Sequence, residues 1–125
     1  MIAYLRDEPG ADIVESFLLD DDCQCLAHSI NLCEVYYDFM RVKNEATAHS
    51  AITDLYDVGI IAREDLDQSF WQDAGKYKAE IKRISLADCF AIALANRMNA
   101  EIVTSDHHEF DSIAKRGICA IKFIR

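Results

Sequence analysis

The strongest constraint on this chain lies between Ser85 and Asp106. Ser85-Leu86-Ala87-Asp88 opens an apolar stretch that runs on to Ala95, and Glu101-Ile102-Val103-Thr104-Ser105-Asp106 follows. A serine three residues ahead of an acid, at the head of an apolar run, marks a helix start. A short apolar run bounded by a turn and a polar end reads as a buried strand. Asp88 then falls in the first turn of a helix, and Asp106 just past a strand. In an open α/β sheet, ligands collect beyond the carboxyl ends of parallel strands. Helix starts near that edge can join the same crevice, so the two acids form a candidate metal site.

The remaining pattern supplies the frame. Apolar spacing predicts helices over 1–5, 11–19, 31–42 and 46–56, a long one over 65–83 softened near Gly75, and a short one over 112–116. Strands are expected over 25–30, 58–62 and 118–124, with a turn over 107–111. Arg6-Asp7-Glu8-Pro9-Gly10 breaks the first helix. Alternating strands and helices argue for βαβ units, a mostly parallel sheet and helices on both faces. With 125 residues, the chain suits one domain, 1–125, with its own core.

Charge and cysteine content narrow the function classes. A formal net charge of -9 argues against loose, charge-driven binding to nucleic acid or an anionic membrane. It leaves a nuclease open, because carboxylates that hold divalent cations are themselves acidic. No apolar run approaches the roughly 18 to 20 residues that span a bilayer. Five cysteines at irregular spacing, with no signal peptide before them, read as free thiols in a reducing cytoplasm. Cys23 and Cys25 form a C-x-C pair without a second pair, which is no zinc pattern. His28 reads as a hydrogen-bonded strand histidine and Asp20-Asp21-Asp22 as a solvated turn. Residues 76–83 hold the only basic concentration, ending in Lys82 and Arg83. They suit a solvated helix end with cations complementing its dipole, and equally a phosphate contact beside the acids.

Three acids share a logic. Glu34 follows Asn31 by three residues, Asp88 follows Ser85 by three, and Asp106 ends a strand. Each of the first two, taken alone, is a capping-box acid. Taken together with Asp106 they form a cluster whose mutual repulsion a cation relieves. Oxygen ligands without cysteine or histidine select hard ions, Mg²⁺ or Mn²⁺. Such ions activate water and clamp a phosphodiester. No nucleophile elbow or glycine-rich phosphate loop is present.

Residues 29–36 (Ser-Ile-Asn-Leu-Cys-Glu-Val-Tyr), 85–95 (Ser-Leu-Ala-Asp-Cys-Phe-Ala-Ile-Ala-Leu-Ala) and 102–110 (Ile-Val-Thr-Ser-Asp-His-His-Glu-Phe) resemble the successive motifs of PIN domains. The resemblance is closest to VapC-like toxins of type II toxin-antitoxin systems, and it covers almost the whole chain in order. It implies a PIN-like, Rossmann-like α/β/α sandwich and a Mg²⁺- or Mn²⁺-dependent ribonuclease. It also implies an antitoxin partner that blocks the site, and a homodimer. Glu34, Asp88 and Asp106 match the family's metal-binding acids. Glu109 and Asp111 stand as auxiliary acids, and Thr104 and Ser105 as contacts to phosphate or water.

One departure accompanies the match. PIN domains open on a hydrophobic strand ending in Asp, then Ser or Thr, before the first helix. Residues 3–11 here look like the end of that helix and the loop beyond it. The expected fold therefore lacks the family's first strand and first aspartate, which would leave inner sheet edges unpaired. A late start codon, a degenerate relative and a slot filled by another chain are the competing explanations. The alternative function is a catalytically inactive PIN-like module that binds an antitoxin or another protein.

Overall fold

Polar side chains cap the starts of four helices in this chain. The computed structural model describes all residues, Met1–Arg125, and they divide into two units, Met1–Arg63 and Glu64–Arg125.

In the first unit, α1 (Ile2–Leu5) and α2 (Ala11–Leu18) precede β1 (Leu26–His28), α3 (Ser29–Val42), α4 (Glu45–Asp57) and β2 (Ile61–Arg63). His28 closes β1 and caps α3 at once, its Nδ1 accepting from the Ile30 N–H at 3.1 Å. The helix therefore starts straight off the strand. β1 stops at His28 rather than continuing to residue 30, and Asn31 lies inside α3 instead of heading it. Asn44 opens α4 by accepting from the Thr47 N–H at 2.8 Å. After α4, Gly59 at φ 105 turns the chain in a conformation that side-chain-bearing residues resist. That turn moves the second strand from the expected 58–62 to Ile61–Arg63. β1 and β2 pair in parallel, Leu26 opposite Ile61 and His28 opposite Arg63. Ala27, Leu32, Val35 and Leu55 form the core, with Met1, Leu5, Phe39 and Ile52 packed on it.

In the second unit, α5 (Gln68–Glu80), α6 (Leu86–Met98), β3 (Glu101–Thr104), α7 (His107–Arg116) and β4 (Ala120–Phe123) follow. α5 runs unbroken through Gly75. It is shorter than the expected 65–83 because Asp67 and Ile81 are both extended. α6 is buried along most of its length, including Ala87, Cys89, Phe90, Ile92 and Leu94, and it closes on Asn99 in the left-handed region. β3 pairs in parallel with β4, Glu101 opposite Ala120 and Thr104 opposite Phe123. Residues 107–116 form one helix, not a turn followed by a short helix, because Asp106 caps it from outside.

Every strand pair is parallel, in two separate two-stranded sheets. The fold class is the helix-rich α/β class that the alternation of elements predicts. All five cysteines are free thiols. No helix is long and apolar enough to cross a membrane.

Candidate metal centre

In the second unit, two helix starts are capped through one another. At α6, the Ser85 Oγ accepts from the Asp88 N–H at 3.1 Å and donates to Asp88 Oδ2 at 2.8 Å. At α7, Asp106 Oδ1 accepts from the Glu109 N–H at 3.1 Å. Both sequences are capping boxes, and in each the second acid would normally fold back on its own cap's N–H. Neither does so. The Ser85 N–H donates instead to Glu109 Oε2 at 3.0 Å, so α7 supplies the missing half of the α6 cap.

This exchange brings Asp88 and Glu109 together. Both are half-buried. A hydrogen bond from the Asp88 carboxyl is the main influence holding the Glu109 carboxyl below its ordinary pKa. The Ser85 N–H and the positive charges of His108 and Lys78 act in the same direction, against the penalty of burial. Two carboxyls in such contact must share a proton or a cation. The N-terminal ends of α6 and α7 add partial positive charge that favours the ionised forms. An all-oxygen, half-buried carboxylate pair of this kind suits a hard divalent ion.

The other candidate residues of this unit are placed in different ways. Asp106 lies exposed at the end of β3, its N–H donating to Thr104 Oγ1 at 3.0 Å. Thr104 thus orients the turn that carries Asp106. Ser105, between β3 and α7, is half-buried. Asp111 is engaged by His107 at 2.8 Å. Lys82 and Arg83 are exposed in the turn before Ser85, whereas Lys78 donates to the Ile84 carbonyl at 2.6 Å. No group of three or more His, Cys, Asp or Glu side chains is assembled to hold a metal ion. What the structure assembles is the Asp88–Glu109 pair.

Glu34 belongs to the first unit. With His28 occupying the cap position, Glu34 sits past the first turn of α3, half-buried. His28 is 1 % exposed and serves the helix cap, which accounts for a histidine there without a ligand. Among the aromatics of the second unit, Phe70 is buried against Phe90, Tyr77 is half-buried and Trp71 is exposed.

Two contributions escape the sequence reading. Asp106-His107-His108-Glu109 is itself a capping-box sequence, and that spacing signals the α7 start that the turn expectation misses. The contact from Lys78 to Ile84 has no sequence signature.

A model of the PIN domain family matches residues 1–116 of the chain. The protein belongs to the PIN domain family. Among solved structures it is similar to a chain of DNA-bound VapBC from Salmonella typhimurium, with a TM-score of 0.72 and 16 % identity. That match covers 99 % of this chain and 91 % of the other. It is also similar to a chain of VapBC2 from Rickettsia felis bound to a DNA fragment from their promoter. There the TM-score is 0.70 at 16 % identity, covering 97 % and 89 % of the two chains. Identity this low shows a shared fold. No curated protein matches the chain.

Proposed function

We propose that this protein is a metal-dependent endoribonuclease of the VapC-like toxin type, with residues 1–125 acting as one catalytic domain. The observation that carries the reading is the Asp88–Glu109 pair at the interlocked starts of α6 and α7, beside a cap made by Asp106. Membership of the PIN domain family and the fold shared with chains of VapBC complexes support it.

In this reading Asp88 and Glu109, with Asp106 beside them, would hold Mg²⁺ or Mn²⁺, which would supply an activated water and neutralise charge on a phosphodiester. The chain's own part is to aim the carboxylates. Ser85 orients Asp88 through its hydroxyl and Glu109 through its amide. Lys82, Arg83 and Ser105 contact the RNA phosphates, the two cations by charge and the serine by hydrogen bonding. An antitoxin covers the site, a second copy of the chain completes a homodimer, and the protein works in the cytoplasm.

The test is cleavage of single-stranded RNA with Mn²⁺, with EDTA, and by the Asp106→Asn and Asp88→Asn variants. Cutting that needs the metal and falls by at least about a hundredfold in both variants is the expected result. Absence of cutting by the unaltered chain would leave the second reading, a PIN-like module that binds its partner without catalysis. Cutting that survives EDTA would remove the metal from the mechanism.

A further inference from the structure

The Ile84–Ser85 peptide unit is held at both ends by side chains of opposite charge. Its carbonyl accepts from Lys78 Nζ at 2.6 Å, and its N–H donates to Glu109 Oε2 at 3.0 Å. A peptide is planar, with C=O and N–H pointing in opposite directions. Fixing both groups therefore fixes the plane and the Ser85 Cα within it, and with the Ser85 φ at -71 this sets the direction in which its side chain leaves the backbone. That side chain contacts Asp88 twice, at 2.8 and 3.1 Å. Lys78 lies in the last turn of α5, so the fixed plane ties that helix end to the starts of both α6 and α7.

We infer that Lys78 is a positioning residue for the metal centre, acting through the Ile84–Ser85 peptide plane to keep the Asp88 and Glu109 carboxylates convergent. The inference rests on the metal-dependent reading above. Lys78 touches neither substrate nor metal in this role. Its neighbours Lys82 and Arg83 are exposed and make no such contact to the peptide, so the function belongs to one lysine of the basic run rather than to its charge as a whole.

Electrostatics makes the test decisive. Removing a positive charge near two carboxylates should, by Coulomb's law alone, tighten cation binding. Loss of positioning should weaken it. Mn²⁺ binding to the full chain is measured by titration calorimetry for the unaltered protein, Lys78→Met and Lys78→Arg, with the fold of each checked by circular dichroism. Lys78 is an exposed residue on a helix surface, so neither substitution empties the core. The expected result is affinity weakened on the order of tenfold in Lys78→Met, and restored in Lys78→Arg, which keeps a cationic donor. Unchanged or tighter binding by Lys78→Met, or an arginine variant as weak as the methionine one, overturns the positioning role and leaves the metal reading standing. Absence of Mn²⁺ binding by the unaltered chain overturns both.

Discussion

Arg97 grips Asp67 with both arms of its guanidinium, Nη1 to Oδ1 at 2.6 Å and Nη2 to Oδ2 at 2.8 Å. The same Nη1 reaches Asp65 at 3.0 Å, and the guanidinium lies 4.9 Å from the centre of the Phe70 ring. These bonds hold the segment before α5 against the end of α6. The Arg97 hydrogen bonds, with one from Ser69, keep the Asp67 carboxyl well below the usual carboxylate range. A depressed folded-state pKa stabilises the protein above the ordinary aspartate value of about 4, and that stability fades as pH falls further. The thermal midpoint of the unaltered chain should therefore fall more steeply in acid than that of Arg97→Ala. Parallel slopes for the two in acid melts would show the pair to be idle.

Ser85→Ala removes the cap of α6 and both hydroxyl contacts to Asp88. It should cost about 1 kcal/mol in denaturant unfolding. Ser85→Thr, which keeps the hydroxyl, should recover most of that loss. A threonine variant no more stable than the alanine one would mean that the cap is not what stabilises this helix start.

Two substitutions on neighbouring helices should act in opposite directions. Ile92 on α6 is fully buried, at 0 % exposure, so Ile92→Ala should destabilise by about 2–5 kcal/mol through lost contact and a residual cavity. Gly75 is exposed within α5, and a Cβ built there meets nothing within 4 Å. Gly75→Ala should stabilise by about 0.5–1 kcal/mol, because alanine loses less backbone freedom on entering a helix. Urea titration measures both, and a destabilised Gly75→Ala variant would contradict the unstrained helical geometry at that position.

His107 has an acceptor at each ring nitrogen, with Nδ1 at 2.8 Å from Asp111 Oδ1 and Nε2 at 2.6 Å from the Arg125 carbonyl. The bond to Asp111, then the one to Arg125, raise its pKa above the ordinary histidine value. A raised folded-state pKa gives stability that is fully present below about pH 6.5 and lost as pH climbs through the folded value. The ring also stacks on Phe123, 4.1 Å between centroids. NMR titration of the His107 ring protons should show an upward-shifted midpoint that returns toward the ordinary value in Asp111→Asn. An unshifted midpoint in the unaltered chain would rule out the paired imidazolium.

Much of this arrangement is legible in the sequence, and the misses have physical causes. Asp88 is readable because Ser85 and a long apolar run bracket it within one helix, where spacing alone sets position. The α3 start is not, because His28 acts as a cap through Nδ1, a role seldom given to histidine beside Asn31, a far commoner capping residue. Glu109 reads as a turn acid since two adjacent histidines carry weak helix preference, while the cap at Asp106 decides the matter. Its bond to Ser85 joins residues distant in sequence, and no local pattern encodes such a meeting. The shortened α5 shows the same limit, since Asp67 is drawn out of the helix by Arg97 from another element.

The two parallel ladders also bear on how the chain reaches this state. A parallel pair cannot close through a tight hairpin. Leu26 meets Ile61 only after α3 and α4 have been traversed, and Glu101 meets Ala120 only after α7. No strand of this protein finds its partner in the adjoining stretch of chain. The helices are consequently the segments able to nucleate early, and each ladder is a late event that records their successful docking. Slow refolding should trace to strand registration rather than to helix formation.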